Sequence, residues 1–267
     1  MSITFIKRLL FSLVLSAGLY TTATADFYVI PVNKKIEHVI LVAKKGGDFT
    51  DVKEAIESIT DANETNRYLV YVGPGVYHVT SPIVMKSWVT LKGSGENATL
   101  LKGAVSTGSN YSSAILRSWS ANNATITELS VENTGGDTFS IGVYITNDST
   151  VVANVKATAS GGAYNYGIYN YYSSSTLTNV TATASGGATN SGVYNYYSSP
   201  TLTNVTATAS GGGNSIGINN IDSASAPKIF HSIVTGEYDD VHGGTPMCYY
   251  TLGIVGTTYK ELNATCK

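Results

Sequence analysis

Few residues in this chain are of types that do chemistry, and their spacing is the place to begin. Asp239-Asp240-Val241-His242-Gly243-Gly244 sets two carboxylates within three positions of an imidazole, the combination that general acid–base hydrolysis uses. The plain alternative is a polar loop. Paired acids can also hold a cation, but without a third ligand that pattern is generic. Cys248 and Cys266 are the only cysteines, and the four histidines are scattered. This spacing suits neither a metal site nor a redox pair, so no metal and no cofactor are expected. A disulfide is the simplest reading, worth about 3 kcal/mol in the chain-entropy view.

Tyrosine offers a second chemistry. Tyr144, Tyr169 and Tyr194 recur at 25-residue intervals, as do Tyr171 with Tyr196 and Tyr172 with Tyr197. Asn170 and Asn195 lie beside them. Flat rings flanked by amides suit the faces of sugars, whereas the structural alternative is that the rings stiffen a sheet.

What positions these residues is a sentence of 25 residues written three times over 151–225: VVANVKATASGGAYNYGIYNYYSSS, TLTNVTATASGGATNSGVYNYYSSP and TLTNVTATASGGGNSIGINNIDSAS. Such a period marks a solenoid whose units bury their apolar sides against one another. Val180, Ala182 and Ala184 alternate with Thr181 and Thr183, which is strand periodicity. A second run, Gly192 to Tyr196, precedes the turn signal Ser198-Ser199-Pro200. No stretch of the unit carries a helical stripe, so each copy reads as one coil of an all-β parallel β-helix. Leu177, Val180 and Ala182 fit a leucine-rich repeat loosely, but its later Asn and its helical half are missing. Stacked coils about 4.8 Å apart turn columns into ladders. Asn154, Asn179, Asn204 and Asn170, Asn195, Asn220 can pass amide hydrogen bonds between rungs, and the tyrosine columns can stack. The Ala columns imply a thin interior. The Asn-x-Thr tripeptides of the repeats read as stacking positions rather than glycan acceptors.

Residues 1–25 have the three-part layout of a secretory signal peptide: Lys7-Arg8, an apolar stretch and Ala23-Thr24-Ala25. That stretch is short for a membrane span, so the mature chain is expected to be exported, periplasmic or extracellular, without an anchor. Setting Lys7 and Arg8 aside leaves 14 basic against 18 acidic residues. The balance speaks against nucleic acid as a partner. The solenoid is read over 26–236 and a disulfide-clasped cap over 237–267. Toward its beginning, Val52, Ala55, Ile56 and Ile59 share one helical face behind Thr50 as N-cap, a short capping helix for an otherwise open sheet end.

GDFTDVKEAIESI, RYLVYVGPGVY, WVTLKGSGENATLLKG and the segment Ala124–Thr134 resemble, in that order, the amino-terminal part of pectinesterases. These are carbohydrate-active members of the pectin-lyase-like, single-stranded right-handed parallel β-helices. The resemblance implies that fold, and an ester hydrolysis carried by an Asp nucleophile, a second Asp as acid/base, Gln side chains at the oxyanion and an orienting Arg. Aligned on it, Ser140 stands at a Gln position and Asn170 and Asn195 at the Asp positions. The chain has no Gln, and no Arg follows Arg117. Amides neither attack esters nor accept protons at neutral pH. Polygalacturonases of the same superfamily use paired Asp with a Gly-His-Gly, which the Asp239–Gly244 stretch matches in type but not in spacing.

The expectation is therefore a non-catalytic exported β-helix that binds polysaccharide or a cell-surface glycan through Tyr144, Tyr169, Tyr194, Tyr171, Tyr196, Tyr172 and Tyr197. Alternation places Tyr169 and Tyr194 opposite Ile168 and Val193, as a row of rings on the outside. A pectin-acting esterase and a purely structural surface repeat are the alternatives.

Overall fold

The computed structural model describes residues 38–106, 108–109, 112–255 and 258–267. The leader read at 1–25, like the rest of 1–37, lies outside the described residues. Alternating sequence becomes strand almost throughout. Among the described residues the strands form a 14-stranded and a seven-stranded sheet. Nearly every pairing is parallel, and the one antiparallel pair joins Thr251–Val255 to Thr258–Leu262.

The coil has three sides. The first is built from His38–Val42, Tyr68–Val72 and Val89–Lys92, then from the opening residues of the long strands Thr125–Asn133, Val151–Ser160, Thr176–Ser185 and Thr201–Ser210. The second begins with Gly75–Val79 and Thr99–Gly103 and continues in the later residues of those same strands. Each long strand turns the corner between the two sides at one left-handed residue: Glu128, Asn154, Asn179 or Asn204. Asn enters that region more readily than most residues. The corner side chains also tie the coils together. Asn204 Nδ2 donates to Asn179 Oδ1 (2.8 Å), Asn179 to Asn154 (2.9 Å), and Asn154 to the Glu128 carboxylate (2.7 Å).

The third side is the seven-stranded sheet: Ile83–Val84, Ala114–Trp119, Phe139–Thr146, Tyr164–Tyr171, Thr189–Tyr196, Asn214–Asn220 and Asp239–His242. Register follows the repeat. Val180 pairs with Val155 and Val205, and Ala182 with Ala157 and Ala207. Leu177, Val180, Ala182 and Ala184 are buried while Thr181 and Thr183 stay half-buried on the outer face. A fully buried Val or Leu contributes about 1.5–3 kcal/mol. The helix needed by the leucine-rich alternative is absent from the described residues of the repeats.

Buried polar groups are satisfied rung by rung. Asn165 Nδ2 donates to Asn190 Oδ1 (2.9 Å) and Asn190 Nδ2 to Ser215 Oγ (3.1 Å). In parallel, Asn170 donates to Asn195 and Asn195 to Asn220, both at 2.9 Å, and Asn220 ends the chain on the His242 carbonyl (3.0 Å). The expected amide ladders thus exist in two settings, one inside and one on a corner.

One helix, Val52–Glu57, lies near the first coils with Val52, Ala55 and Ile56 buried, and Ile59 is buried just beyond it. Its N-cap is Asp51, not Thr50: Asp51 Oδ1 accepts from Glu54 N at 3.0 Å. A carboxylate there also meets the positive helix end, which a hydroxyl does less well. No helix of the described residues is long and apolar enough to cross a membrane. Toward the other end, parallel stacking continues past residue 236 through Met247–Tyr249 and Thr251–Val255. Cys248 and Cys266 form a disulfide, and the antiparallel strand Thr258–Leu262 covers the last sheet edge.

Replacing Asn195 by Leu should strand the Asn170 donor and the Asn220 acceptor inside, costing roughly 2–5 kcal/mol at about 1–3 kcal/mol for each unpaired buried group. Thr183→Val, on the outer face, should change stability by less than about 1 kcal/mol. Urea unfolding of the two variants checks the contrast.

Candidate functional site

The tyrosines lie on the outer face of the seven-stranded sheet, and glycine decides how they sit there. Gly142, Gly167, Gly192 and Gly217 form a column where this sheet meets the second side backbone to backbone. A Cβ on Gly192 would lie 2.7 Å from Thr208 N and 2.9 Å from Ala182 O, and one on Gly167 would lie 2.8 Å from Thr183 N. Each glycine and the residue after it, such as Ile168 or Val193 of the core, turn inward together. Strict alternation breaks, and residues three apart converge over the outside. Tyr166 and Tyr169 meet in this way, ring centroids 5.3 Å apart.

The expected exposed row therefore needs correction. Tyr144, Tyr166 and Tyr169 do occupy the outer side of the sheet, but they are only 3–5% exposed. The Tyr169 ring is packed by Tyr144, Tyr166, Tyr171 and Tyr194 at 4.7–6.2 Å. Along the column Tyr144–Tyr169–Tyr194 the rings meet edge to face, at 81° and 79°, rather than stacked. Burial, followed by the neighbouring phenols, pushes the Tyr166 and Tyr169 hydroxyls far above the usual phenol range. Burial likewise pushes Tyr194 up to about 12. These rings form a second small core on the outside of the sheet.

The accessible aromatics lie one turn further on. Tyr171 stacks on Tyr196 (5.4 Å, 3°) and Tyr172 on Tyr197 (4.8 Å, 12°), and the two pairs meet edge to face at 4.6–4.7 Å. Tyr171 and Tyr196 are half-buried, whereas Tyr172 and Tyr197 are 49% and 44% exposed. Stacking hides the facing sides, so this four-ring ridge offers ring edges, hydroxyls and its two terminal faces. Tyr172 and Tyr197 have φ of 47° and 48°, a left-handed conformation that is a real outlier for a bulky residue and costs on the order of 1–3 kcal/mol.

Asp222 takes the next place in the column, 25 residues after Tyr197. Its carboxylate accepts from Tyr197 N (2.6 Å), Ser225 Oγ (2.8 Å), Ala224 N and Ser225 N. Burial would push this carboxyl up, but those hydrogen bonds outweigh it and hold it below the ordinary range. Toward the other end of the same edge, Trp119 is exposed with the Arg117 guanidinium 4.2 Å from its ring centroid.

The remaining candidates do not converge on this surface. Asn170 and Asn195 face the interior as ladder rungs and are fully buried. Ser140 is buried with Oγ donating to the Asn133 carbonyl at 3.2 Å. Asp239 reaches His242 Nδ1 at 3.3 Å. Asp240, its neighbour, turns the other way, accepts from Gly236 N at 3.2 Å and lies against Gly253, with burial raising its pKa. The two acids do not act as a pair. Among the described residues no three His, Cys, Asp or Glu side chains cluster as metal ligands. Tyr166, Trp119 and Asn219 belong to this face but were not singled out by spacing. The repeat alignment carried a signal for the last: Ser191, Ile216 and Asn219 depart from the tyrosines of the copies before them.

Comparisons with known proteins place this geometry. No curated protein sequence matches the chain. Among solved structures, pectin methylesterase from carrot aligns with a TM-score of 0.54 at 14% identity, over 82% of this chain and 83% of that one. Pectin methylesterase from Aspergillus niger, in deglycosylated form, gives 0.52 at 14% identity, over 82% and 86%. The ORF18 protein of Geobacillus virus E2 gives 0.55 at 17% identity, over 79% of this chain and 54% of that one, so this chain spans about half its length. At these identities the likeness is one of fold. A family model described as rhamnogalacturonase A/epimerase, pectate lyase-like, matches residues 42–221, from the first coil to the end of the third repeat. The three-sided parallel coil and that match agree: the chain belongs to the pectate lyase-like rhamnogalacturonase A/epimerase family.

Proposed function

We propose that this chain is an exported, non-catalytic polysaccharide-binding solenoid, whose contact surface is the ridge of Tyr171, Tyr172, Tyr196 and Tyr197. One observation carries the reading. The two most exposed rings of the ridge sit where the backbone disfavours them, at corner positions that Asn147 fills one rung earlier in the same left-handed conformation. Asn or Gly would relieve that strain on each rung. Strain kept at an exposed aromatic pair points to a surface role. Family membership supports a carbohydrate partner, and the disulfide suits an oxidising compartment.

A second reading, a hydrolase acting on pectin esters, is favoured by the Asp239–His242 contact alone. It requires methanol release from methylated pectin that is lost in Asp239→Ala.

Two outcomes follow from the binding reading. Tyr172→Asn/Tyr197→Asn should abolish retention on immobilised methylated pectin. Its stability should stay within about 1–2 kcal/mol of the parent, because relieved strain offsets lost ring contacts of about 0.5–1.5 kcal/mol each. Affinity electrophoresis beside urea unfolding tests both, and undiminished retention contradicts the assignment. The second outcome concerns pH. The Asp222 carboxyl is held low in the folded chain, so its contribution to stability is complete above its unfolded pKa of about 3.9 and fades as pH falls through the folded value. The stability difference between parent and Asp222→Asn should therefore be constant at pH 5–7 and shrink below pH 4, as read from denaturation midpoints.

A further inference from the structure

The outer face of the seven-stranded sheet ends differently from how it begins. Its central column runs Tyr144, Tyr169, Tyr194 and then Asn219 and His242, while the neighbouring column runs Tyr166, Ser191, Ile216 and Asp239. Rings fill the middle coils. Where they give way to smaller side chains a cavity of about 320 Å³ opens, lined by Asn214, Ile216, Asn219, Ile221, Tyr238 and His242. That volume lies at the small end of the range for ligand pockets, enough for one ring rather than a chain. Tyr238 and His242 lie beyond the segment that the family model matches.

Asn219 is the unusual member. It is 2% exposed, yet its Oδ1 has no hydrogen-bond partner among the described residues, and its Nδ2 reaches only Ser191 Oγ at 3.5 Å. The interior amides at 165, 170, 190, 195 and 220 all have partners. A buried acceptor left unmet is costly, so this one calls for an O–H or N–H donor from outside the chain. Around it stand two apolar side chains, Ile216 and Ile221, the exposed Tyr238 ring and the His242 imidazole held by Asp239. An apolar floor with a few polar points is the chemistry that recognises a sugar ring. The charges on these segments are mostly negative: Asp222 follows Ile221, Glu237 precedes Tyr238, and Asp239 carries His242. A ligand carboxylate would be repelled.

We propose that this pocket is a binding subsite for a single uncharged sugar unit, a neutral or esterified pyranose whose hydroxyl donates to Asn219 Oδ1. It rests on the polysaccharide-binding reading and extends it, adding an end-subsite to the ridge and a preference for uncharged units.

The test uses the full described chain and two probes that share a backbone, a fully methyl-esterified oligogalacturonide and its de-esterified counterpart, with affinity read by calorimetry. The parent should bind the esterified probe at least tenfold more tightly. Asn219→Tyr fills the pocket by continuing a column that already holds three tyrosines, so it should fold, and it should weaken the esterified probe at least tenfold. Asn219→Leu, which removes the amide without leaving a new unpaired group, should do the same. Equal or reversed preference in the parent overturns the charge selection. Unchanged affinity in both Asn219 variants, with binding still lost in Tyr172→Asn/Tyr197→Asn, overturns the subsite and leaves the ridge standing. A parent that binds neither probe overturns both.

Discussion

Backbone meets backbone along the glycine column at 142, 167, 192 and 217, and the rest of the molecule depends on that approach. Ala157, Ala182 and Ala207 face it from the second side. Together these small residues make the interior so thin that a single added methyl on Gly192 would press on Thr208, Ala182 and Gly217. Overpacking of that kind costs about 1–3 kcal/mol, and here it would recur on every rung. With so little apolar volume at the centre, the coil is held by the valine and isoleucine columns to either side and by amide ladders that leave almost no interior polar atom unmet.

The same contact shapes the outside. A glycine and its successor turning inward bend the sheet, and the flanking side chains, three apart, lean together over the outer face. Large residues there must pack on one another, which makes Tyr166 and Tyr169 members of a second core rather than a display of rings. Beyond the bend, the chain turns a corner at Tyr172 and Tyr197, and only there do rings reach solvent in number. Where the third repeat replaces tyrosine with Ser191, Ile216 and Asn219, the groove is left partly empty. One constraint in the interior thus accounts for a packed zone, a ridge and a pocket on the surface.

The coil could be read from the sequence because identity at 25-residue spacing fixes register: each like residue pairs with its copy, and alternation along Thr176–Ser185 sorts Val180 and Ala182 inward and Thr181 outward. The first helix was legible for the same kind of reason, although Asp51 rather than Thr50 caps it. The site was harder to read. Strict alternation implied that Tyr169 and Tyr194 stand free, and it fails at Gly167 and Gly192 because a glycine can turn inward beside another inward residue. That break depends on contact with a strand of the next side, which no local pattern encodes. Nor does spacing tell an amide on a ladder from one at a surface: Asn170 and Asn195 are interior, and Asn219, the residue after the glycine-isoleucine pair, is the one turned outward.

The account's central claim is that carbohydrate is met at the corner beyond the bend, by Tyr171, Tyr172, Tyr196 and Tyr197. The most direct measurement is a crystal structure of the chain grown with a methyl-esterified oligogalacturonide. It should show saccharide density running along that ridge. Ordered saccharide on the threonine face of Thr158, Thr183 and Thr208 instead, with the ridge bare, would contradict the claim.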